Sequence, residues 1–249
     1  MMKGKNVNGI TSFGLHILAM ILMLCDHLWA TLLSDFSWLT WIGRIAFPLF
    51  AFMIVEGFSH TKDRKKYILR MLIFAVISEI PFNMIMSGGG MFYPYHQNVL
   101  WTFLIALMGL SAVESIRKKG KPILTALTFV GVFFAGFLVG MITMVDYYGF
   151  GVMTVMIFYL FRGRKWWHYL GQLAGLYWIN LELLGGLYVP VMIGGREFQI
   201  VQQGMALLAL IPIWLYKGEQ GPYNKTIKAV YYWFYPVHIL VLSVLAFVL

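Results

Sequence analysis

Ser59-His60-Thr61-Lys62-Asp63-Arg64-Lys65-Lys66-Tyr67-Ile68-Leu69-Arg70 puts five cations between two long apolar runs. The same punctuation recurs along the chain. Lys3 and Lys5 precede the first run. Arg117, Lys118, Lys119 and Lys121 form the next cluster, followed by Arg162, Arg164 and Lys165, then Lys217, then Lys225 and Lys228. Of the 19 Lys and Arg residues only Arg44 and Arg196 lie elsewhere. Basic loops stay on the cytoplasmic side of a membrane. Up to Lys217, the interval between successive clusters holds two apolar spans and one loop poor in Lys and Arg. The alternation predicts a polytopic membrane protein with a cytoplasmic N-terminus.

Composition agrees. Apolar residues make up 60% and charged residues 12%, against about 25% charged in soluble domains. The net charge of +9 would point to nucleic acid in a soluble protein. Here the positive-inside bias accounts for it, and nucleic acid is not an expected partner. Cys25 is the single cysteine, so neither a disulfide framework nor a cysteine zinc site can be built. No small-residue cleavage signal follows the first run, which therefore reads as a retained span.

At roughly 20 apolar residues per span, the chain reads as an all-α membrane helix bundle of one domain, 1–249. Nine spans are expected, at 11–32, 37–59, 66–87, 98–116, 122–143, 147–161, 166–187, 200–216 and 228–248. An odd number places the C-terminus outside. The outer loops fall near 33–37, 88–97, 144–147 and 188–199, with Arg196 as their one basic residue.

An ionisable group in hydrocarbon costs at least ~2.5–3.5 kcal/mol, so polar residues inside spans are functional candidates. The candidates are His16, Asp26 and His27 in the first span, Arg44 and Glu56 in the second, Glu79 and Asn83 in the third, and Asn98 and Thr102 at the start of the fourth. Asp146 precedes the sixth; Glu182, Gln199, Gln202, Gln203 and His238 come later. Counting depth along alternating helices puts most of them in the outer half, which predicts one polar pocket opening outward. Arg44 stands four residues before Pro48, Glu79 two before Pro81 and His238 two after Pro236. Proline removes a helical hydrogen bond, and polar groups or water must re-satisfy the freed backbone.

His16, Met20, Met23 and His27 share one helix face. The two histidines are about 16 Å apart along the axis at 1.5 Å per residue. The methionines read as packing; His27, beside Asp26, reads as functional. Neighbouring residues on a helix diverge by about 100°, so Asp26 must find its partner elsewhere, at Arg44 or on another helix.

Several segments together resemble the TraX family of pilin N-terminal acetylases and their relatives. They are His16–His27, Arg44–Gly57 with His60-Thr61, Arg70, Ser78-Glu-Ile-Pro-Phe-Asn83, Asn98 with Thr102 and Gly109, Asp146-Tyr-Tyr-Gly-Phe-Gly151, and Tyr235-Pro-Val-His238. The chain is also distantly similar to multi-spanning acyltransferases of surface polysaccharides, whose basic residue, ten positions and histidine match the spacing of His16 and His27. The resemblance implies transfer of an acyl group, acetyl above all, from cytoplasmic acyl-CoA to an amine or hydroxyl acceptor on the outer side. Acyl-CoA would be a substrate, with no tightly bound cofactor and no metal. The acceptor would be a pilin-like peptide amine, a glycan or an aminolipid, and the setting a bacterial plasma (inner) membrane.

Under that reading His27 is the general base, since histidine titrates in the useful range. Arg44, Asn98 and Thr102 are expected to donate to the oxyanion. Glu56, Glu79 and Asp146 position the acceptor or hold Arg44, and Asn83, Tyr235 and His238 complete the acceptor site, His238 being the rival base. His16, Arg64, Lys65, Arg162, Arg164 and Lys165 are expected on the CoA side. The alternatives are a transporter or flippase with an outward-open polar cavity, and a non-catalytic assembly or receptor protein.

Overall fold

The computed structural model describes residues 9–248; Lys3, Lys5 and Leu249 lie outside the described residues. The chain is mostly helical. Helices α1 (Ser12–Thr31), α2 (Trp38–Gly43), α3 (Ala46–His60), α4 (Arg64–Ser87), α5 (Val99–Arg117) and α6 (Pro122–Ile142) come first. Helices α7 (Tyr148–Leu160) and α8 (Trp166–Tyr177) follow, then strands β1 (Tyr188–Ile193) and β2 (Arg196–Val201), α9 (Leu210–Trp214) and α10 (Lys225–Val248).

Local chemistry sets the boundaries. Thr11 Oγ1 accepts from the Gly14 N–H at 3.3 Å to start α1. Asp63 accepts from the Lys66 N–H at 3.0 Å to start α4, and that bond holds its carboxyl below the usual carboxylate range. Asn98 Oδ1 caps α5 through the Leu100 N–H. Each side-chain oxygen satisfies an orphan donor of the first turn. Gly88 ends α4 in the left-handed conformation, φ 67°.

Among the described residues six helical stretches are long and apolar enough to cross a membrane: Ser12–Thr31, Trp38–His60, Arg64–Ser87, Val99–Arg117, Pro122–Ile142 and Lys225–Val248. The nine expected spans are not all of this kind. Helix α7 has 13 residues, a rise of about 20 Å against an apolar core of about 30 Å. The expected span at 166–187 is α8 followed by a π-helical turn, Trp178–Leu183. The span at 200–216 is a 3₁₀ helix, Gln202–Ala209, running into α9.

The outer loop expected at 188–199 is a β-hairpin, with Tyr188 opposite Val201 and Ile193 opposite Arg196, so the fold is not purely α. Gly194 and Gly195 turn it with φ of 58° and 79°. Two positive φ values make the turn whose twist matches paired strands.

Helices α3 and α7 are buried on nearly every side, as expected for helices apolar all round at the centre of a bundle. Helix α6 is the reverse. Only Gly140 is buried on it, and its apolar faces suit lipid. Gly140 and Gly149 let α6 and α7 touch: a Cβ on Gly140 would lie 2.8 Å from the Gly149 Cα.

The expected second span breaks at Arg44 and Ile45, between α2 and α3. Pro48 has no N–H for the Arg44 carbonyl, so the helix is weakest there. Just before the break, Gly43 meets α1 so closely that a Cβ would lie 2.4 Å from the Asp26 Cβ.

Gly43→Ala should therefore lower the melting temperature of the detergent-solubilised protein. Helix propensity alone favours alanine by about 0.5–1 kcal/mol, but overpacking costs about 1–3 kcal/mol and prevails here. Gly131→Ala is the control, because a Cβ there meets nothing within 4 Å. A melting temperature for Gly43→Ala equal to or above that of the parent would refute the contact.

Candidate functional site

A cavity of about 730 Å³ runs between α1, α3, α4 and α10. The stripe read from the first span lines it in full: His16, Met20, Met23 and His27. Asp26, Asp146 and Tyr147 lie toward one end. The other end reaches His60, Thr61, Gly218, Gln220, Tyr223 and Lys228, in or beside the basic loops. His60, Gly218, Gln220, Tyr223 and Lys228 are solvent-exposed. Neither the 88–95 loop nor the β-hairpin contributes to the lining. The cavity thus opens at the basic end, not outward as depth counting suggested.

The expected single pocket separates into several polar clusters. Asp26 binds Arg44: Arg44 Nη2 donates to Oδ1 at 2.6 Å and Oδ2 at 2.8 Å, and Thr40 Oγ1 donates to Oδ1 at 2.7 Å. Asp26 therefore has the partner expected of it, while Arg44 faces its carboxylate and does not line the cavity.

Glu79 and Asn98 form a second cluster. Asn98 Nδ2 donates to Glu79 Oε2 and to the Ala75 carbonyl at 2.9 Å, and Trp101 Nε1 donates to the same Glu79 oxygen at 2.8 Å. Asn98 is fully buried with its oxygen engaged as the α5 cap, so it has no donor left for an oxyanion. Thr102 Oγ1 donates to the Asp146 carbonyl at 2.6 Å and is likewise committed. Asn83 Nδ2 holds the 88–95 loop through the Met91 carbonyl at 3.2 Å. Neither Glu79 nor Asn83 lines the cavity.

Asp146 does line it. Its Oδ1 accepts from the Tyr147 N–H at 3.0 Å and lies 3.3 Å from His96 Nε2. The backbone is strained here, with φ of 52° at Met144, 59° at Tyr147 and 49° at Tyr148. Such values in bulky residues persist only where the surroundings enforce them. The Tyr147 ring is stacked 3.9 Å from Phe47.

His27 Nδ1 lies 2.7 Å from His238 Nε2, and His238 Nδ1 lies 2.6 Å from the Phe234 carbonyl. His238 is buried and outside the lining, so it stands behind His27. Tyr235 lines the cavity beside them. His16 stacks on Tyr231 at 4.1 Å and bonds through Nδ1 to the Ser12 carbonyl at 2.8 Å.

The expected CoA-side cations divide. Arg64 binds the buried Glu114 at 3.2 Å and lies over the Phe58 ring. Lys65 is exposed, and Lys165 lies over the Trp167 ring. Arg162 Nε donates to Glu56 Oε1 at 2.6 Å, and Arg164 Nη2 to the Tyr216 carbonyl at 2.9 Å. These two arginines line a side cavity of about 240 Å³, which shares Glu56, His60, Tyr216 and Gly218 with the main one.

Three residues gain a place only in the fold, Arg70 having entered before as part of the resemblance alone. Arg70 and Lys228 line the main cavity. Among the described residues Arg70 makes no ion pair, and its Nε is buried without a partner. Spacing alone could have flagged Arg70, one turn beyond Lys66. Glu114 escaped notice at the end of the fourth span; it accepts from Arg117 Nε at 2.8 Å and from the Tyr159 hydroxyl, besides Arg64. That cluster ties α4, α5 and α7 together near the basic end.

Comparison with known proteins agrees with the resemblance. A Dichelobacter nodosus protein described as a probable fimbrial assembly protein, FimC of serogroup H1, is 30% identical over 249 residues, covering 96% of each chain. No solved structure matches. The family model described as TraX protein matches residues 14–246, and the chain belongs to the TraX family.

Proposed function

We propose that the protein is an integral membrane acyltransferase, moving an acetyl or similar acyl group from acyl-CoA to an amine or hydroxyl acceptor. One observation supports this most: a deep cavity opens beside the basic loops, carries near its mouth Arg70, which lies over the Tyr232 ring with no carboxylate partner among the described residues, and reaches His27 at depth. An anionic donor would enter there. Its phosphates meet Arg70 and Lys228, with Arg162 and Arg164 in the side cavity, while the thioester arm runs past Tyr231 and Tyr232 toward His27.

The acceptor would have to reach the same histidine from the opposite end, past His96 and Asp146, where the cavity does not open in this structure. Its nitrogen or oxygen attacks the thioester carbonyl, forming the new C–N or C–O bond. Its proton passes to His27. The C–S bond breaks, and the departing thiolate takes that proton to leave as the thiol. The fimbrial relative makes a pilin-type peptide amine the first acceptor to assay. A transporter reading leaned on an outward-open cavity; this cavity opens at the other end.

The topology in this reading is nine crossings of a bacterial plasma (inner) membrane, with N-terminus inside and C-terminus outside. Helix α7 completes its crossing with Asp146 and Tyr147 recessed below the outer surface, which suits their place on the cavity wall. Single cysteines at Ser87 and Lys119, in a chain with Cys25 replaced, should label from opposite sides of intact cells. Labelling of both from outside defeats this topology.

The catalytic assignment predicts that His27→Ala lowers acyl transfer from labelled acetyl-CoA by about 10²–10⁴-fold, the usual worth of a general base, at unchanged membrane insertion. Retention of near-parental rate removes His27 from the chemistry.

The donor site carries its own prediction. Arg70→Ala combined with Lys228→Ala should raise the KM for acyl-CoA about tenfold or more, with kcat changed less. A hydrogen bond to a charged group contributes about 1.5–3 kcal/mol, and 1.4 kcal/mol is tenfold in affinity. An unchanged KM would place the phosphates elsewhere.

A further inference from the structure

The His27–His238 contact has a direction. The Phe234 carbonyl can only accept, so the His238 Nδ1, 2.6 Å away, carries the proton in a neutral ring. A neutral imidazole has one donor and one acceptor nitrogen, so His238 Nε2 is an acceptor. His27 Nδ1 is 2.7 Å from it and must be the donor. The two rings are nearly parallel, 8° apart with centroids at 4.9 Å. Centroids that far apart with nitrogens that close put the rings edge to edge, in the plane an N–H···N bond requires. His238 is itself held by Phe234, whose ring stacks on it at 4.5 Å, and by Tyr235 at 5.8 Å.

We propose that His238 is a positioning residue that locks His27 in the Nδ1–H tautomer, leaving the Nε2 lone pair of His27 as the proton-accepting atom of the site. The role rests on the acyltransferase reading. His238 is then no rival base, because its own Nε2 is occupied by His27. Orientation of a histidine by a hydrogen bond at its other nitrogen is how such rings are commonly set. Here a second histidine supplies that bond, and a backbone carbonyl fixes the second histidine. Asp26, adjacent to His27 in sequence, takes no part, being committed to Arg44 and Thr40.

When His27 Nε2 takes the acceptor's proton, the ring becomes an imidazolium whose Nδ1–H still points at His238 Nε2. The positive charge is shared across a short N–H···N bond. It vanishes when the thiolate removes the Nε2 proton, so the relay starts and ends neutral.

The test is ¹⁵N NMR of the histidine-labelled full-length protein in nanodiscs, with the resonances of His27 assigned by its loss in His27→Gln. At a pH where the rings are neutral, His27 should show a protonated Nδ1, an unprotonated Nε2 and a nitrogen–nitrogen coupling to His238. His238→Gln keeps an oxygen acceptor and should preserve the Nδ1–H form. His238→Ala should release His27 toward the Nε2–H form that free imidazole side chains prefer.

Acyl transfer should fall in His238→Ala, by less than in His27→Ala, and recover in part in His238→Gln. A parental His27 protonated at Nε2, or a His27 tautomer indifferent to His238→Ala, overturns the proposal. These signals do not need turnover. The expected tautomer in a protein that transfers no acyl group would overturn the acyltransferase reading while leaving the lock in place.

Discussion

The Asp26–Arg44 ion pair is the contact on which the arrangement of this bundle turns. Two charges lie within a largely apolar bundle, and each is tolerable only because the other is 2.6 Å away. The pair is part-buried, its side chains 23% and 20% exposed, so removing one partner costs less than the ~3–5 kcal/mol of a fully buried pair. Several features converge on it. Gly43 has no side chain to keep α2 away from Asp26. Pro48 frees the Arg44 carbonyl and opens the helix where the guanidinium must turn. Thr40 adds a donor to the same carboxylate. With Asp26 held sideways against α2, the next residue, about 100° around the helix, faces the cavity. Asp26 thus acts on His27 through helix geometry, with no direct contact.

The same rule, that a buried polar group must be paired, explains why the remaining polar residues do not share one pocket. Most are engaged by whatever is nearest, although Glu79 Oε1, Asn83 Oδ1 and Arg44 Nε stay buried without a partner. Glu79 is taken by Asn98 and Trp101, Glu114 by Arg64, Arg117 and Tyr159, Glu56 by Arg162. These clusters join helices and are unavailable to a ligand. Besides Asp26 and Glu56, whose carboxylates are held by arginines, the ionisable groups facing the cavity are His16, His27, His60 and Asp146, with Arg70 and Lys228 toward the basic end. Functional residues are marked here less by being polar in a span than by having capacity left after packing.

The cavity walls divide by chemistry along their length. Methionines, Phe103 and other apolar side chains line the middle, while cations gather at the basic end. This gradient suits a molecule with a charged head and an uncharged arm. It also makes the direction of opening consequential for any charged ligand that cannot cross the membrane.

The sequence by itself determined the membrane character and most of the places where helices begin and end in its first half, and it narrowed the partner of Asp26 to Arg44 or another helix. Those follow from local rules: apolar length, basic loops, capping side chains, and the need of a carboxylate in a span for a partner. The hairpin left one local sign, Gly194-Gly195, which a count of spans read as part of a loop. The tertiary structure alone decided which polar residues remain free. Depth along a helix says how far a residue lies from each surface but not which way it faces. Asn98 and Thr102 sit at the right depth and are used up by Ala75, Glu79 and Asp146. His238 and His27 are 211 residues apart, and nothing local requires their rings to be coplanar. Only the packing of α10 against α1 brings them together.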